Sequence, residues 1–411
     1  MNQNLIEIHR CEVCGGTALQ SVLNMGKHPM CDDLVVAGDS RKCREYPIEI
    51  LFCADCITAH QRFQIPKHEL FPITYHYRSR FTADVLNGMR LLVEGCEERF
   101  GSLEGKSVLD IGCNDGSLLG IFRAKGARTF GIEPTGAAED AKQAGHNVYF
   151  DFLSTHVAND IVRAYGKPDF ITFTNVFAHI EDLDAVLDAL MVLMHESTVL
   201  VVENHYLGAV LNGNQFDTFY HEHPRTYSYK SFATLAHTLH AQILDVDFPS
   251  RYGGNIRVYI SRSSVSCINA AREQQINLLE GAYFAAFGEL NQNIERWRDK
   301  KTKQIRALVG EYGKLRAKAF PGRAAILIKL LGLDESMISH VFEKPGSMKV
   351  GHYLPGTRIE IRSDDELFAL PDLSLPILNL AWHIPQEIRA YLKSHNYQGP
   401  VIDVMSAHDF L

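Results

Sequence analysis

The chain has 411 residues, 46% of them hydrophobic and 22% charged, a globular composition long enough for two or three compact domains. A formal charge of −8 supplies no broad cationic field for nucleic-acid phosphates. The opening residues MNQNLIEIHR lack the basic-then-apolar order of a leader, and no stretch approaches the roughly 18 apolar residues of a membrane span. The expectation is a soluble, cytoplasmic chain with neither nucleic acid nor membrane as a partner.

Four of the nine cysteines fall in two CxxC pairs, Cys11 with Cys14 and Cys53 with Cys56. Each pair can turn two thiolates toward one point, as tetrahedral zinc requires, and duplication of the pair favours metal over a redox or disulfide role. Four thiolates leave no place for water, so the zinc is expected to be structural. Gly26, Pro29, Gly38 and the alternating run Tyr46 to Phe52 predict short strands and turns gathered by the metal. Cys31, Cys43, Cys96, Cys113 and Cys267 lack comparable spacing.

KSVLDIGCNDGSLLGIF, from Lys106 to Phe122, reads as a strand ending at Asp110, a turn with Gly112, Asn114 and Gly116, and a helix from about Leu118. Glycines let backbone approach a ligand closely, and an acidic group at a strand end can receive a cationic amine. Roughly twenty residues on, TFGIEP predicts a second strand whose Glu133 suits the two hydroxyls of a ribose. GCNDG departs from the GxGxxG of dinucleotide sites and fits the D/ExGxxxG loop of S-adenosylmethionine (SAM) sites. Asp151 and Phe152, after a strand ending at Tyr149, stand where adenine is recognised. Further strands are expected at Asp169–Thr174, followed by Asn175 and His179, and at Thr198–Glu203, with a helix over Leu183–Met194 between them. This alternation predicts a parallel sheet covered on both faces, with its ligands at the carboxyl edge.

QFDTFYHEHPRTYS, from Gln215, concentrates Tyr220, His221, Glu222, His223 and Tyr227 after a strand end. Residues at i and i+2 share no helix face and HExxH is absent, so acid–base chemistry is a better reading of HEH than metal binding. Tyr75, Tyr77 and Arg78 form another aromatic and cationic group upstream.

Six segments together resemble the SAM-dependent sugar C-methyltransferases that act on nucleotide-linked 4-keto-deoxysugars. They are the paired CxxC motifs, YxYRS at Tyr75, xGxNDGSLL at Gly112, NxxxHI at Asn175, FDTxYHEHxxxYS at Phe216 and KxGxYxPGTxI at Lys349. The resemblance spans the chain and implies methylation at C3 of the sugar, beside its 4-keto group, in branched deoxysugar biosynthesis. By motif position it places catalytic roles on Tyr75, His179, Tyr220, Glu222 and His223, and SAM contacts on Asp110, Gly112, Asn114, Gly116, Glu133, Asp151, Phe152 and Asn175. It favours a thymidine diphosphate (TDP) substrate. A carbon nucleophile arises when a proton beside a carbonyl is removed, and histidine titrates in the right range for that. His223 is the expected base, Glu222 its orienter or a sugar contact, Tyr220 or His179 a donor to the oxyanion, and Tyr75 a proton carrier on the opposite face.

Asn269 to Ala319 has helical spacing and is expected to form long linking helices. Arg323–Leu331, as a strand or helix start, and Pro376–Trp382, as a buried strand, suggest a smaller α/β unit, which the resemblance implies holds the nucleotide. The family's glycine-rich turn with lysine is represented only by Gly322 and Lys329. The expected fold is α/β: a central Rossmann-like SAM-dependent methyltransferase domain over residues 71–265, a zinc-binding lobe over 1–70, and a helical linker with a smaller α/β domain over 266–411. An RNA methyltransferase with a zinc module, an O- or N-methyltransferase, and a non-catalytic SAM-binding protein are the rival readings. Oligomeric state is left open by the sequence, with a monomer as the working expectation.

Overall fold

The structure, a computed structural model, describes residues 5–70, 78–263 and 268–410. It divides into two compact units, each discontinuous in sequence. The first comprises Met1–Gln20, Leu51–Val210 and Glu222–Phe284; the second comprises Ser21–Ile50, Leu211–His221 and Ala285–Leu411.

The N-terminal run with alternating apolar residues forms strand β1 (Glu45–Cys53), followed by β2 (Thr58–Gln61). Within the first unit come α1 (Ala83–Phe100), β3 (Ser107–Ile111), α2 (Ser117–Ala124), β4 (Arg128–Ile132), α3 (Ala137–Gln143) and β5 (Asn147–Tyr149). They are followed by α4 (Thr155–Tyr165), β6 (Phe170–Thr174), α5 (Leu183–Leu193), β7 (Val199–His205), β8 (Arg225–Thr226), α6 (Tyr229–Thr238), β9 (Gln242–Asp247), β10 (Asn255–Ser261) and α7 (Ala270–Glu280). Seven strands form one sheet in the order β9-β10-β7-β6-β3-β4-β5, parallel from β7 to β5, with β10 and β9 antiparallel at one edge. The parallel strands are near-continuous apolar runs because helices cover both faces. SVLDI of β3 and the first four residues of β6 are buried. Leu109, Phe130, Ile171, Phe173 and Leu200 share one core with Leu187, Leu190 and Phe232. Each such side chain contributes about 1.5–3 kcal/mol through its burial.

Side chains close the helix starts, as the sequence chemistry requires. Ser154 accepts from the Val157 amide at α4, Asp182 from Ala185 at α5, and Ser228 and Ser231 form a reciprocal box at α6. Glu280, from the end of α7, accepts from the Tyr229 and Lys230 amides at 2.7 and 3.0 Å and so seals the same start of α6. The chain proceeds from β3 outward through β4 and β5, then returns to the other side of β3 for β6 and β7. The topological switch therefore lies between β3 and β6, and the crevice beyond their carboxyl ends is the ligand position of open α/β sheets.

In the second unit, α8 (Tyr283–Tyr312) supplies a long helix whose fully buried Trp297 donates to the Val404 carbonyl at 3.0 Å. After it come β11 (Leu315–Lys318), α9 (Ala324–Leu331), β12 (Ile338–Glu343), β13 (Glu360–Ser363), β14 (Ile377–Asn379), α10 (Pro385–Ser394) and β15 (Val401–Asp403). Their sheet runs β15-β14-β11-β12-β13 in parallel and is extended by His352–Tyr353 and Val35–Val36. The helical reading of 269–319 is correct for α7 and α8 but wrong for Leu315–Lys318. There Gly313, at φ 75°, breaks the helix, and LRAK enters the sheet between β12 and β14. Arg323–Leu331 proves to be a buried helix start, not a strand. Among the described residues no helix is long and apolar enough to cross a membrane.

Candidate active site

At the switch point, Asp110 ends β3 buried, with the Thr172 hydroxyl of β6 donating to it at 2.6 Å. Burial, with the charge of Glu133 adding to it, pushes the Asp110 carboxyl up to about 7 against the pull of that hydrogen bond. The loop beyond is stitched to β4: the Gly112 and Cys113 amides donate to the Ile132 carbonyl at 2.8 and 3.0 Å. Gly112 stands at φ 70°, and a Cβ placed on it would come within 2.6 Å of Val176. Glycine is therefore required both by conformation and by the close approach of the loop after β6. Asn114 also takes a left-handed backbone, at φ 49°, which turns its amide onto Glu133 Oε2 at 2.9 Å. Gly116, at φ 78°, begins α2. The other Glu133 oxygen accepts from the Thr135 amide and hydroxyl at 2.9 and 2.6 Å, which fixes the carboxylate at the end of β4.

A short strap crosses this loop. The Ser79 amide donates to Asn114 Oδ1 at 3.0 Å, the Arg80 amide to Asp115 Oδ2 at 2.9 Å, and Arg78 pairs with Asp140 of α3 at 2.5 Å. Asp151 is exposed beyond β5; Phe152 is half-buried, with the Lys67 ammonium 4.4 Å from its ring centre. Asn175, at φ 54°, opens the loop after β6. These residues form a continuous edge from acidic strand end through glycine loop to ribose-type carboxylate, the arrangement that a nucleoside with a cationic amino-acid tail needs.

The chemistry-bearing histidines lie along the same edge. His179 sits on a single 3₁₀ turn after Asn175, and its Nδ1 donates to the Glu222 carbonyl at 2.6 Å. Burial holds the His179 pKa below its ordinary value, against main-chain bonds to Glu222 and Asn175 that favour the cation, so the ring is neutral near pH 7. His223 is buried, with its ring 4.9 Å from that of His179. His205, at the carboxyl end of β7, has its ring 5.2 Å from that of His223. The sequence reading missed His205, although its position directly after the strand ending in Glu203 was a usable signal. It also missed Arg225 and Asn255, whose partners are distant in sequence. Tyr220 belongs to the second unit, and Tyr75 lies outside the described residues. His221, within the same motif, points its Nε2 at the Tyr46 carbonyl at 3.1 Å, and burial lowers its pKa to about 4. That is a packing role.

The Cys11, Cys14, Cys53 and Cys56 sulfurs all lie within 4.8 Å of one another. Cys11 and Cys56 are 3.4 Å apart, and Cys14 and Cys53 3.6 Å. Tetrahedral zinc with sulfur at about 2.3 Å needs sulfurs about 3.8 Å apart, so the set fits a structural ion with shifts of about an ångström or less. The His60 ring, at 3.3 Å from the Cys11 sulfur, gives that ligand an outer partner.

Residues 77–245 match a family model described as "Methyltransferase domain", residues 11–71 one described as "Putative zinc binding domain", and residues 250–402 one described as "C-methyltransferase C-terminal domain". The chain is 28% identical to C-methyltransferase NovU of Streptomyces niveus over 393 residues, 93% of this chain and 91% of that one. Together the three matches cover most of the chain and, with this relative, support a SAM-dependent C-methyltransferase family for it. Solved structures that it is similar to include magnesium protoporphyrin IX methyltransferase from Synechocystis PCC 6803 with bound SAH, at TM-score 0.35 and 17% identity, covering 44% of this chain and 84% of that one. Another is the PH0226 protein from Pyrococcus horikoshii OT3, at TM-score 0.35 and 12% identity, covering 47% and 97%. The matched methyltransferase and C-methyltransferase domains, with the C-methyltransferase relative, support a SAM-dependent C-methyltransferase enzyme, and the four cysteines are the ligand set of its zinc-binding module.

Proposed function

We propose that the enzyme methylates C3 of a nucleotide-linked 4-keto-6-deoxysugar, probed best with a TDP-linked one, in the cytoplasm. The observation that carries this reading is the triple-histidine edge, His179, His223 and His205, beside the SAM loop. Carbon methylation demands a base that works near neutrality next to the methyl donor, and a 4-keto group is what makes the neighbouring C–H acidic enough. Bound SAM supplies an electrophilic sulfonium methyl; the remaining work falls to this chain.

His223 removes the C3 proton, and the electron pair passes into the C3–C4 bond, leaving charge on the C4 oxygen. Tyr220, by its motif position, donates to that oxygen; His179, whose one neutral N–H is engaged on the Glu222 carbonyl, joins it as a donor only when protonated. Glu222 orients the base or a sugar hydroxyl, and Tyr75 carries protons on the opposite face. The enolate carbon then takes the methyl in line as the methyl–sulfur bond breaks and a neutral thioether leaves, so binding must hold the sugar and the donor in register. Asp110, Gly112, Asn114, Gly116, Glu133, Asp151, Phe152 and Asn175 bind SAM. In the second unit, Arg323 stacks 5.1 Å over Trp382 at the switch between β11 and β14 and reaches Asp217 and Thr218 at 3.4 and 3.2 Å. A cation over an aromatic face is apt for the phosphates and base of a nucleotide, and it stands in for the lysine turn that this chain lacks.

The test is to incubate the enzyme with TDP-4-keto-6-deoxyglucose and related sugars in deuterated water, with and without SAM, comparing His223→Ala by mass spectrometry and proton NMR. The expected result is deuterium at C3 without SAM, a new C-methyl with SAM, and loss of both in the variant. Binding of SAM with neither exchange nor methylation across the sugar panel would sink the sugar assignment.

A further inference from the structure

Arg225 is fully buried, two residues beyond His223, and every nitrogen of its guanidinium is used. Nε donates to the Tyr227 hydroxyl at 2.9 Å. Nη1 pairs with Glu12 at 2.7 Å and donates to the Glu181 carbonyl at 3.4 Å. Nη2 donates to the carbonyls of Glu181, at 3.3 Å, and Ile180. The last two carbonyls belong to the residues that directly follow His179. Glu12 lies between Cys11 and Cys14, and its other oxygen faces His60 at 3.5 Å and accepts from Gln64 at 2.7 Å. The backbone repeats the connection: β8 pairs with β2, with Arg225 opposite His60, five residues or fewer past the second cysteine knuckle.

A planar fork with five donors is the one side chain able to hold a carboxylate, a phenol and two successive carbonyls at once. We infer that Arg225 and Glu12 are a positioning pair that ties the cysteine knuckle to both histidine-bearing segments, so that the seated metal sets where His179 and His223 stand. The role rests on the reactive roles proposed above for those two histidines. It gives the structural zinc a stake in turnover without placing it in the reaction: the ion fixes the 11–14 turn, Glu12 fixes Arg225, and Arg225 fixes the carbonyls after His179 and the strand after His223. Buried polar groups linked this way are sensitive to the loss of any one member.

The experiment uses full-length zinc-loaded enzyme and the variants Glu12→Gln, Arg225→Lys and the double variant. Four quantities are read: zinc per chain, SAM Kd, kcat and KM for methyl transfer, and the ¹⁵N-histidine spectrum. In Glu12→Gln the expectation is retained zinc, SAM Kd within about twofold, and kcat lowered at least tenfold with KM little changed. His179 and His223 signals should move while that of exposed His156 does not. Arg225→Lys should not rescue, and the double variant should lose no more than the worse single one. Unchanged kcat and unchanged His179 and His223 signals in zinc-loaded Glu12→Gln would overturn the coupling. Should Glu12→Gln lose zinc, Glu12→Asp, which keeps the charge, is measured in its place; loss of zinc there too would also overturn it, since Glu12 would then serve the metal alone. The spectra report the coupling even for an enzyme whose sugar substrate is misassigned, whereas failure of the sugar assignment shows in the wild type.

Discussion

Asn175 and Glu203 are held together twice. The Asn175 amide donates to the Glu203 carbonyl at 2.7 Å, and the Asn255 side-chain amide bridges Asn175 Oδ1 at 3.2 Å and Glu203 Oε1 at 3.0 Å. The remaining faces of the fully buried Glu203 carboxylate meet Arg257 at 2.7 Å and Arg251 at 3.2 Å. The left-handed residue at the SAM edge is thereby anchored to a charged cluster in the core.

That cluster makes Glu203→Gln costly. The variant keeps the shape but leaves two nearly buried guanidinium groups short of a counter-charge, at about 3–5 kcal/mol. Urea unfolding should show that loss, with SAM binding weakened as Asn175 is freed. A change below about 1 kcal/mol would show that the arginines find other partners.

Asp110 predicts how SAM binding depends on pH. Its carboxyl is pushed up to about 7 chiefly by burial and, in the SAM-binding role proposed for it, must ionise to receive the SAM ammonium. Affinity should therefore fall as pH drops through 7, by about fivefold between pH 7 and 6, because the competent fraction shrinks. Folding has the opposite sign. An acid whose folded pKa is raised binds more protons folded than unfolded, so between the ordinary carboxylate range near 4 and pH 7 the ligand-free protein loses stability from this group as pH rises. Calorimetric titration and melting at pH 6, 7 and 8 check both, and Asp110→Asn should flatten both trends.

Gly112→Ala tests the close approach of the two loops. The added Cβ meets Val176 at 2.6 Å in a conformation that disfavours side chains, and SAM Kd should rise at least about tenfold. Adding Val176→Ala should restore only part of the loss, since it removes the overlap but not the strain at φ 70°. Complete restoration would show that crowding alone matters.

What the sequence made legible was local. The loop from Asp110 to Gly116, the acidic Glu133 and the two cysteine pairs each lie within one turn or strand end, where spacing dictates geometry, and the structure brings them together as expected. His179 and His223 are neighbours as well, although nothing in their spacing required it. Arg225 illustrates what stayed hidden: it sits in a quoted motif, yet its meaning depends on Glu12 and on carbonyls near residue 180, and carbonyls leave no trace in side-chain composition. Leu315–Lys318 illustrates another limit, since LRAK has helix-forming residues and becomes a strand because β12 and β14 flank it.

The segment Ser21–Ile50 departs from the first unit and returns to it, and the cysteine pairs stand at its two ends. A metal held by Cys14 and Cys53 therefore acts as a crosslink across 39 residues of chain. By the loop-closure argument such a bond removes about 4 kcal/mol of freedom from the unfolded chain, comparable to a disulfide of that span. Thiol reductants that would cut a disulfide leave zinc thiolates intact, so the detour in the chain stays tied off under the reducing conditions in which a disulfide would open.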